Sequence, residues 1–412
     1  MPLVSVLIPV YNGAPYIQQA IQSALDQIDC DIEVIISIDQ SIDNSESLVR
    51  EFQDSRLKVF SQNHRLGMTD NYRFLVSQAR GEWLTIIGQD DALVPFATSM
   101  LRSITKNFPE HQIVTSRRSY AFWPDTLKSF GRYSFIYPVD TRKPYTYSSR
   151  KFLMQSISGY REYSEGPQLY TGTFVKKVLI NRITEVNSGD FYNYLIPDVC
   201  SAANLLTNTA EFVFSPLPLF IVGSSSNSTG VAIDQSLSQS HQQSSNISIN
   251  RMFSSSSTEV DTPGDGVFTS FSWYLYEAYS KTVMFQKEDD PKNSRKQISH
   301  LALAALKFES KRSNLYNQIQ QVRFQEISKR LGVRKIEIAS RQGVILFVVL
   351  QRKLVKFLVA IYLFSSRRLI LSIQKDKNVF SLNEYCSMLT LNKHLQNFLV
   401  AYQAEVFNAK NS

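Results

Sequence analysis

Asp90 and Asp91 stand side by side just after the apolar run Trp83-Leu84-Thr85-Ile86-Ile87. Two carboxylates at a strand end suit a hard divalent cation, which takes oxygen ligands and keeps waters that substrate phosphates can replace. The same pair also fits a polar turn in which Asp91 caps the helix after Pro95. Other polar residues fall at comparable places: Tyr11 and Asn12 after the first apolar run, Asp39 after the second, His64 and Arg65 after the third. If those runs are neighbouring strands, their carboxyl ends gather all of these side chains at one rim, where open α/β sheets bind ligands.

The elements needed to do this are legible. Residues 4–8 form a short β-type run, ended by Pro9 and the turn pair Asn12-Gly13. Residues 16–25 have helical spacing, with Ile17, Ala20, Ile21 and Leu25 on one face. Residues 33–38 are almost wholly apolar, as a parallel strand covered on both faces must be. Asp43-Asn44-Ser45 can cap a helix reaching Phe52. A third strand is expected at 57–61, a third helix at 69–79 and a fourth strand at 83–87. Strand–helix alternation at this density predicts a doubly wound α/β sheet. Residues 94–222 mix helical patterns, short strands and many aromatics. Between 224 and 257, 14 of 34 residues are serine, which predicts a mobile loop or linker without a core. From 266 onward the pattern reads as helical.

Composition narrows the class. The chain has 412 residues, 43 % of them hydrophobic, enough for two or three domains with cores. Cys30, Cys200 and Cys386 lie far apart without CxxC spacing, and no two of the five histidines have metal-binding helical spacing. A disulfide framework and a zinc ribbon are therefore excluded, and a reducing compartment fits. The start, Met1-Pro2-Leu3-Val4, lacks the basic and long apolar parts of a signal peptide, and no run of about 18 apolar residues occurs. A cytoplasmic location follows as the expectation. The net charge is +8, but residues 311–375 carry fourteen Lys or Arg against Glu326 and Glu337 alone. The rest of the chain is mildly acidic, so the positive charge belongs to one region.

Read together, the motifs resemble the family 2 glycosyltransferases of the GT-A fold. Residues 4–13, VSVLIPVYNG, match that family's opening strand and turn, and residues 20–27, AIQSALDQ, its first helix. Residues 36–45, ISIDQSIDNS, are similar to its second strand and acidic turn. Asn63 to Gly67, Asn71 and Ala79-Arg80-Gly81-Glu82-Trp83 continue in order, and Gln89-Asp90-Asp91 falls where the acidic metal motif belongs. The likeness is strong over 3–95 and weaker to about 230. It implies a GT-A domain over 1–222, with a donor half at 1–95 and an acceptor half at 96–222. A Ser/Gln-rich segment at 223–265 and a mainly helical, basic region at 266–412 would follow.

The resemblance also implies roles. A nucleotide-diphosphate sugar would lie over the strand ends, its base held by Pro9, Val10, Tyr11, Asn12 and Asp39. Arg65 would make a second contact to nucleotide or phosphate. Asp90 would hold Mn2+ or Mg2+ bridging the donor phosphates, a Lewis-acid role. Two departures stand out: Ile38 replaces the first Asp of the acidic turn, and Gly88 replaces an earlier Asp of the metal motif. Gln89 or Asp91 could stand in for the latter. Asp198, in Ile196-Pro197-Asp198-Val199, falls where the family's general base lies, with a helix N-cap as its other reading and Asp190 as the competing base. The segment 166–172 resembles the acceptor-side strand and turn. The start of the serine-rich segment falls where relatives carry a lid over the diphosphate, an inert linker being its other reading. The Gln-x-x-Arg-Trp motif of processive members is absent, so transfer of one or a few sugars is expected.

Residues 344–364 are apolar but for Gln351, Arg352, Lys353 and Lys356, and Arg367 and Arg368 follow. A basic amphipathic helix over 344–368 could lie on an anionic membrane surface, or it could be a core helix of a C-terminal bundle. Nucleic acid is not an expected partner, since no recognition module accompanies the charge. The expected function is metal-dependent inverting glycosyl transfer to a glycan or lipid-linked acceptor in cell-surface polysaccharide biosynthesis, at the cytoplasmic face of the membrane. A nucleotidyltransferase-like enzyme and an inactive glycan-binding or scaffolding protein are the alternatives.

Overall fold

The computed structural model describes most of residues 3–228, residues 271–282, and short pieces at 298, 302–304, 325, 329 and 370–374. The basic segment 344–368, most of the serine-rich segment and most of the expected helical region lie outside the described residues.

Val4–Val10 (β1) and Ile32–Ile38 (β2) pair in parallel over their whole lengths. Leu57–Ser61 (β3) adds in parallel beyond β2, and Trp83–Ile86 (β4) adds in parallel on the other side of β1. The side chains of β1 divide by period two. Val4, Val6, Ile8 and Val10 join one core, while Leu7 points into a second. Helices Ile17–Leu25 (α1) and Ala97–Asn107 (α4) cover the first face through Ile17, Ala20, Ile21, Met100, Leu101 and Ile104. Met68–Gln78 (α3) covers the second with Tyr72 and Leu75; Ser45–Arg50 (α2) is a short connector. A sheet cored on both sides is the doubly wound arrangement that the unbroken apolar runs predicted.

Glu33 is a buried charge within β2, and its partners explain why it is tolerated. It accepts from Ser5 Oγ at 2.7 Å, from Lys58 Nζ at 2.6 Å, and from the Arg80 amide. Burial alone would raise its pKa; the lysine, the hydroxyl and the amide outweigh it and hold the carboxyl below its usual range.

Beyond β4 the sheet becomes mixed. Thr173–Lys176 (β9) runs antiparallel to β4 and to Ile113–Phe122 (β6), and Glu211–Ser224 (β10) runs parallel to β6. Ala92–Leu93 (β5) and Tyr145–Ser148 (β8) pair antiparallel with β10. Tyr133–Pro138 (β7) pairs with β6 and with Ile370–Gln374 (β11), a strand inside the region read as helical. Ser149–Ile157 (α5), Lys177–Val186 (α6), Pro197–Asn208 (α7) and Phe271–Ser280 (α8) complete the second face. Tyr274, Leu275 and Tyr279 of α8 belong to the same core as Leu7 and Tyr72, so that core continues past residue 222.

Candidate active site

The rim at the carboxyl ends of β1, β2 and β4 is built by side chains that bond neighbouring turns to one another. Gln89 and Tyr11 exchange two bonds: the Tyr11 amide donates to Gln89 Oε1 at 3.0 Å, and Gln89 Nε2 donates to the Tyr11 carbonyl at 3.1 Å. Asn12 receives the Ile42 amide on Oδ1 at 2.9 Å and donates its own amide to Ser41 Oγ at 3.0 Å. Val10 is fully buried, and its carbonyl accepts from the Asp39 amide at 2.8 Å. Asp39 is only 2 % exposed and takes the amides of Leu66 and Gly67 on its two carboxylate oxygens. These contacts place Arg65, whose guanidinium carbon stands 3.6 Å above the centre of the Tyr11 ring. Of the residues expected to meet the donor, Tyr11 and Arg65 form the open surface. Val10, Gln89 and Asp39 instead hold the turns that carry it, and Pro9 lies one residue before the end of β1.

The adjacent carboxylates Asp90 and Asp91 have different parts. Asp91 is 1 % exposed; Oδ1 accepts the Gly223 amide at 2.7 Å, while Oδ2 accepts the Gly88 amide at 2.8 Å and the Thr171 hydroxyl. It ties three segments together, where the sequence suggested a donor contact. Asp90 accepts from the Ser225 hydroxyl on Oδ2 at 2.6 Å. Its backbone carbonyl accepts Trp123 Nε1 at 3.0 Å. Burial, then the charge of Asp91, push the Asp90 pKa up to about 7, and burial raises that of Asp91 as well. A carboxylate in that condition lacks a countercharge, and a divalent cation supplies one. A single carboxylate anchor leaves the other positions to phosphate oxygens and water, the habit of Mg2+. Among the described residues no group of three His, Cys, Asp or Glu side chains is arranged to hold a metal. A side chain at Gly88 would start 2.7 Å from the Tyr170 hydroxyl, so the absent carboxylate at that position has no room.

Across the cleft, Asp198 lies in the first turn of α7. Ile196 is the N-cap residue, while the Asp198 carboxylate is held by the backbone amides of Val199 and Asp198 at that helix start. The partly buried carboxylate accepts from the Tyr163 hydroxyl at 2.6 Å. Burial raises its pKa, against the hydrogen bond from Tyr163 and the charge of Arg118. The competing base, Asp190, is held by Arg73 Nε at 3.0 Å and Nη2 at 2.6 Å and by the Tyr192 amide at 2.8 Å. Its carboxylate is committed to the fold. Tyr72 and Tyr170 stack with centroids 6.3 Å apart, and the charges of Asp90, Asp91 and Asp198 all raise their phenol pKa values beyond the effect of burial. Asp90, Asp91 and Asp198 therefore all lie near these two rings.

Sequence reasoning missed Trp123, Asp125 and Tyr163, and met Tyr170, Thr171 and Ser225 only as parts of the acceptor-side segment and of the start of the serine-rich segment. Asp125 collects the Tyr16 hydroxyl at 2.6 Å and the Ser226 hydroxyl at 2.6 Å, so residues 223–226 are docked beside Asp90. The sequence marked that run as the place of a lid in relatives, with an inert linker as its other reading.

Residues 5–165 match the family described as glycosyl transferase family 2. The GalNAc(5)-diNAcBac-PP-undecaprenol beta-1,3-glucosyltransferase of Campylobacter jejuni is 38 % identical over 104 residues, 24 % of this chain and 34 % of that protein. Glycosyltransferase GlyG of Streptococcus pneumoniae is 35 % identical over 91 residues, 22 % of this chain and 30 % of that one. The chain thus spans about a third of the length of these curated relatives. The crystal structure of S. aureus TarS 1–349 aligns with a TM-score of 0.42 at 13 % identity, over 82 % of this chain and 91 % of that one. Among the described residues no helix is long and apolar enough to cross a membrane. With the motifs in order along β1 to β4, residues 5–165 match glycosyl transferase family 2.

Proposed function

We propose that the protein transfers one sugar, with inversion, from a nucleotide-diphosphate sugar to a glycan or lipid-linked acceptor in cell-surface polysaccharide assembly. The observation that carries this reading is that two buried carboxylates of raised pKa, Asp90 and Asp198, both lie near the Tyr72–Tyr170 pair. In-line displacement needs a base on one side of the reacting carbon and a stabilised leaving group on the other. Asp198 takes the acceptor hydroxyl proton as that oxygen bonds to the anomeric carbon, and the bond from that carbon to the diphosphate oxygen breaks. Tyr163 fixes the carboxylate and favours its ionised form. Tyr11 and Arg65 offer a stacking and cationic surface to the nucleotide. Asp90 would hold Mn2+ or Mg2+, which when bound neutralises charge on the departing diphosphate.

The lipid-linked alternative for the acceptor draws on the name of the Campylobacter relative, whose acceptor is undecaprenol-linked. Contact with an anionic membrane through 344–368 belongs to the same proposal. The test is hydrolysis of a panel of nucleotide sugars with and without Mn2+. Mn2+-dependent release of a nucleoside diphosphate is the expected result. Pyrophosphate release from a nucleoside triphosphate would favour nucleotidyl transfer, and silence on both would favour a glycan-binding role.

A further inference from the structure

Arg118 stands on β6 at the rim of the sheet. Ile113 is level with Leu84 through their common partner Val175, and Arg118 and Gln89 each lie five residues farther along. Arg118 is therefore beside the site but two strands from β4, about 10 Å at the usual strand spacing. The donor surface at Tyr11 lies a further strand away. The charge of Arg118 is felt by Asp91, Tyr163 and Asp198, which places it on the side of the base.

Its guanidinium is not filled. Nη2 is buried and meets no hydrogen-bond acceptor among the described residues. The two nearby carboxylates are engaged elsewhere, Asp91 by Gly88, Thr171 and Gly223, and Asp198 by Tyr163. Gly172 makes room for the side chain: a Cβ there would lie 3.0 Å from Arg118 Nε, and its φ of +122° suits glycine alone. A second buried polar atom without a partner among the described residues, Gln168 Oε1, belongs to the same 166–173 segment. A desolvated donor left empty costs about 1–3 kcal/mol, more when charged. Such a cost is sustained where a ligand fills the donor.

We propose that Arg118 forms an acceptor subsite for an anionic group, a carboxylate or a phosphate carried by the acceptor. The proposal rests on the transferase reading for its account of what enters the cleft. A planar fork of N–H donors pairs best with two oxygens of one anion, and charge-assisted bonds are about twice as strong as neutral ones. An anionic acceptor approaching Asp198 would be repelled by that carboxylate, and Arg118, whose charge Asp198 feels, both offsets the repulsion and sets the orientation.

The test uses the full chain and three probes: methyl β-D-glucuronide, sn-glycerol 3-phosphate and the neutral methyl β-D-glucoside. Their binding is followed by titration calorimetry and saturation-transfer NMR. One anionic probe should bind about tenfold or more tighter than the glucoside, the step expected for one charge-assisted pair. Which one does so separates carboxylate from phosphate. Arg118→Gln should erase the preference. Arg118→Lys, which keeps the charge and loses the fork, should retain only part of it with an unchanged circular dichroism spectrum, and it carries the test if the glutamine variant misfolds. Equal binding of all three probes, or a preference that survives Arg118→Gln, would overturn the proposal. Displacement of the anionic probe by UDP, GDP or dTDP would also overturn it, since the site would then hold donor phosphate. Nucleotide-sugar hydrolysis by the unaltered protein tests the transferase reading separately, so the two can fail independently.

Discussion

The Ser225 hydroxyl donates to Asp90 Oδ2 at 2.6 Å across 135 residues of chain. With the Gly223 amide on Asp91 and the Trp123 indole on the Asp90 carbonyl, it makes the end of β10 part of the acidic motif. The Asp90–Asp91 pair is therefore positioned by Trp123, Gly223 and Ser225 as much as by β4.

The first consequence is a pH dependence of stability. The Asp90 carboxyl titrates near 3.8 when unfolded and near 7 when folded. Between these values the folded protein binds more protons, so the metal-free protein should lose stability as pH rises from about 4 to about 7. Mn2+ should raise the melting temperature at pH 7.5 far more than at pH 5. Asp90→Asn should flatten both effects and abolish transfer with the fold intact. An Mn2+ response unchanged in that variant would remove Asp90 as the anchor.

Gly223 tests the coupling by steric means. A Cβ there would stand 1.6 Å from the Asp90 carbonyl oxygen and 3.0 Å from Trp123 Nε1. Gly223→Ala must push β10 off the acidic motif, at an overpacking cost of about 1–3 kcal/mol. Urea unfolding should show that loss, and donor hydrolysis should fall with it. Wild-type stability and turnover together would mean that the contact is dispensable.

Asp198 gives a rate prediction. Asp198→Asn should lower transfer about 10²–10⁴-fold, the range for loss of a general base, with nucleotide binding little changed. Tyr163→Phe removes a hydrogen bond that favours the ionised carboxylate. Its pKa then rises further, and the acid limb of the pH–rate profile should move to higher pH. A limb that stays in place would assign the titration to another group.

The strands of the donor half were legible because a parallel strand buried on both faces must be apolar throughout, as β2 is at every position but Glu33 and Ser37. Asp90 was legible because it ends such a strand. Asp91 was read as a donor contact or a stand-in for the acid missing at Gly88, since adjacency in sequence hides that its oxygens are spent on Gly88, Thr171 and Gly223. Tyr163 and Asp198 are 35 residues apart with no shared motif, so only folding reveals the pair. Arg118 belongs to no motif in the sequence, and only the fold leaves its buried Nη2 without an acceptor among the described residues.

Asp39 was expected to receive the base of the donor, and the structure suggests a different experiment. Its two oxygens take the amides of Leu66 and Gly67, immediately after Arg65, and at 2 % exposure the carboxylate is hidden from the rim. Its effect on the donor would then pass through the turn that holds Arg65 over Tyr11. Arg65→Ala should weaken nucleotide binding by about 1 kcal/mol, the size of an exposed cation–π and stacking contact. Asp39→Ala should free the 63–67 turn and weaken binding by at least as much. Added to Asp39→Ala, the Arg65 change should then cost little more, because both act through one guanidinium. Nucleotide affinities of the two single variants and the double variant close that cycle. Additive losses would show that Asp39 touches the nucleotide itself, as the sequence implied.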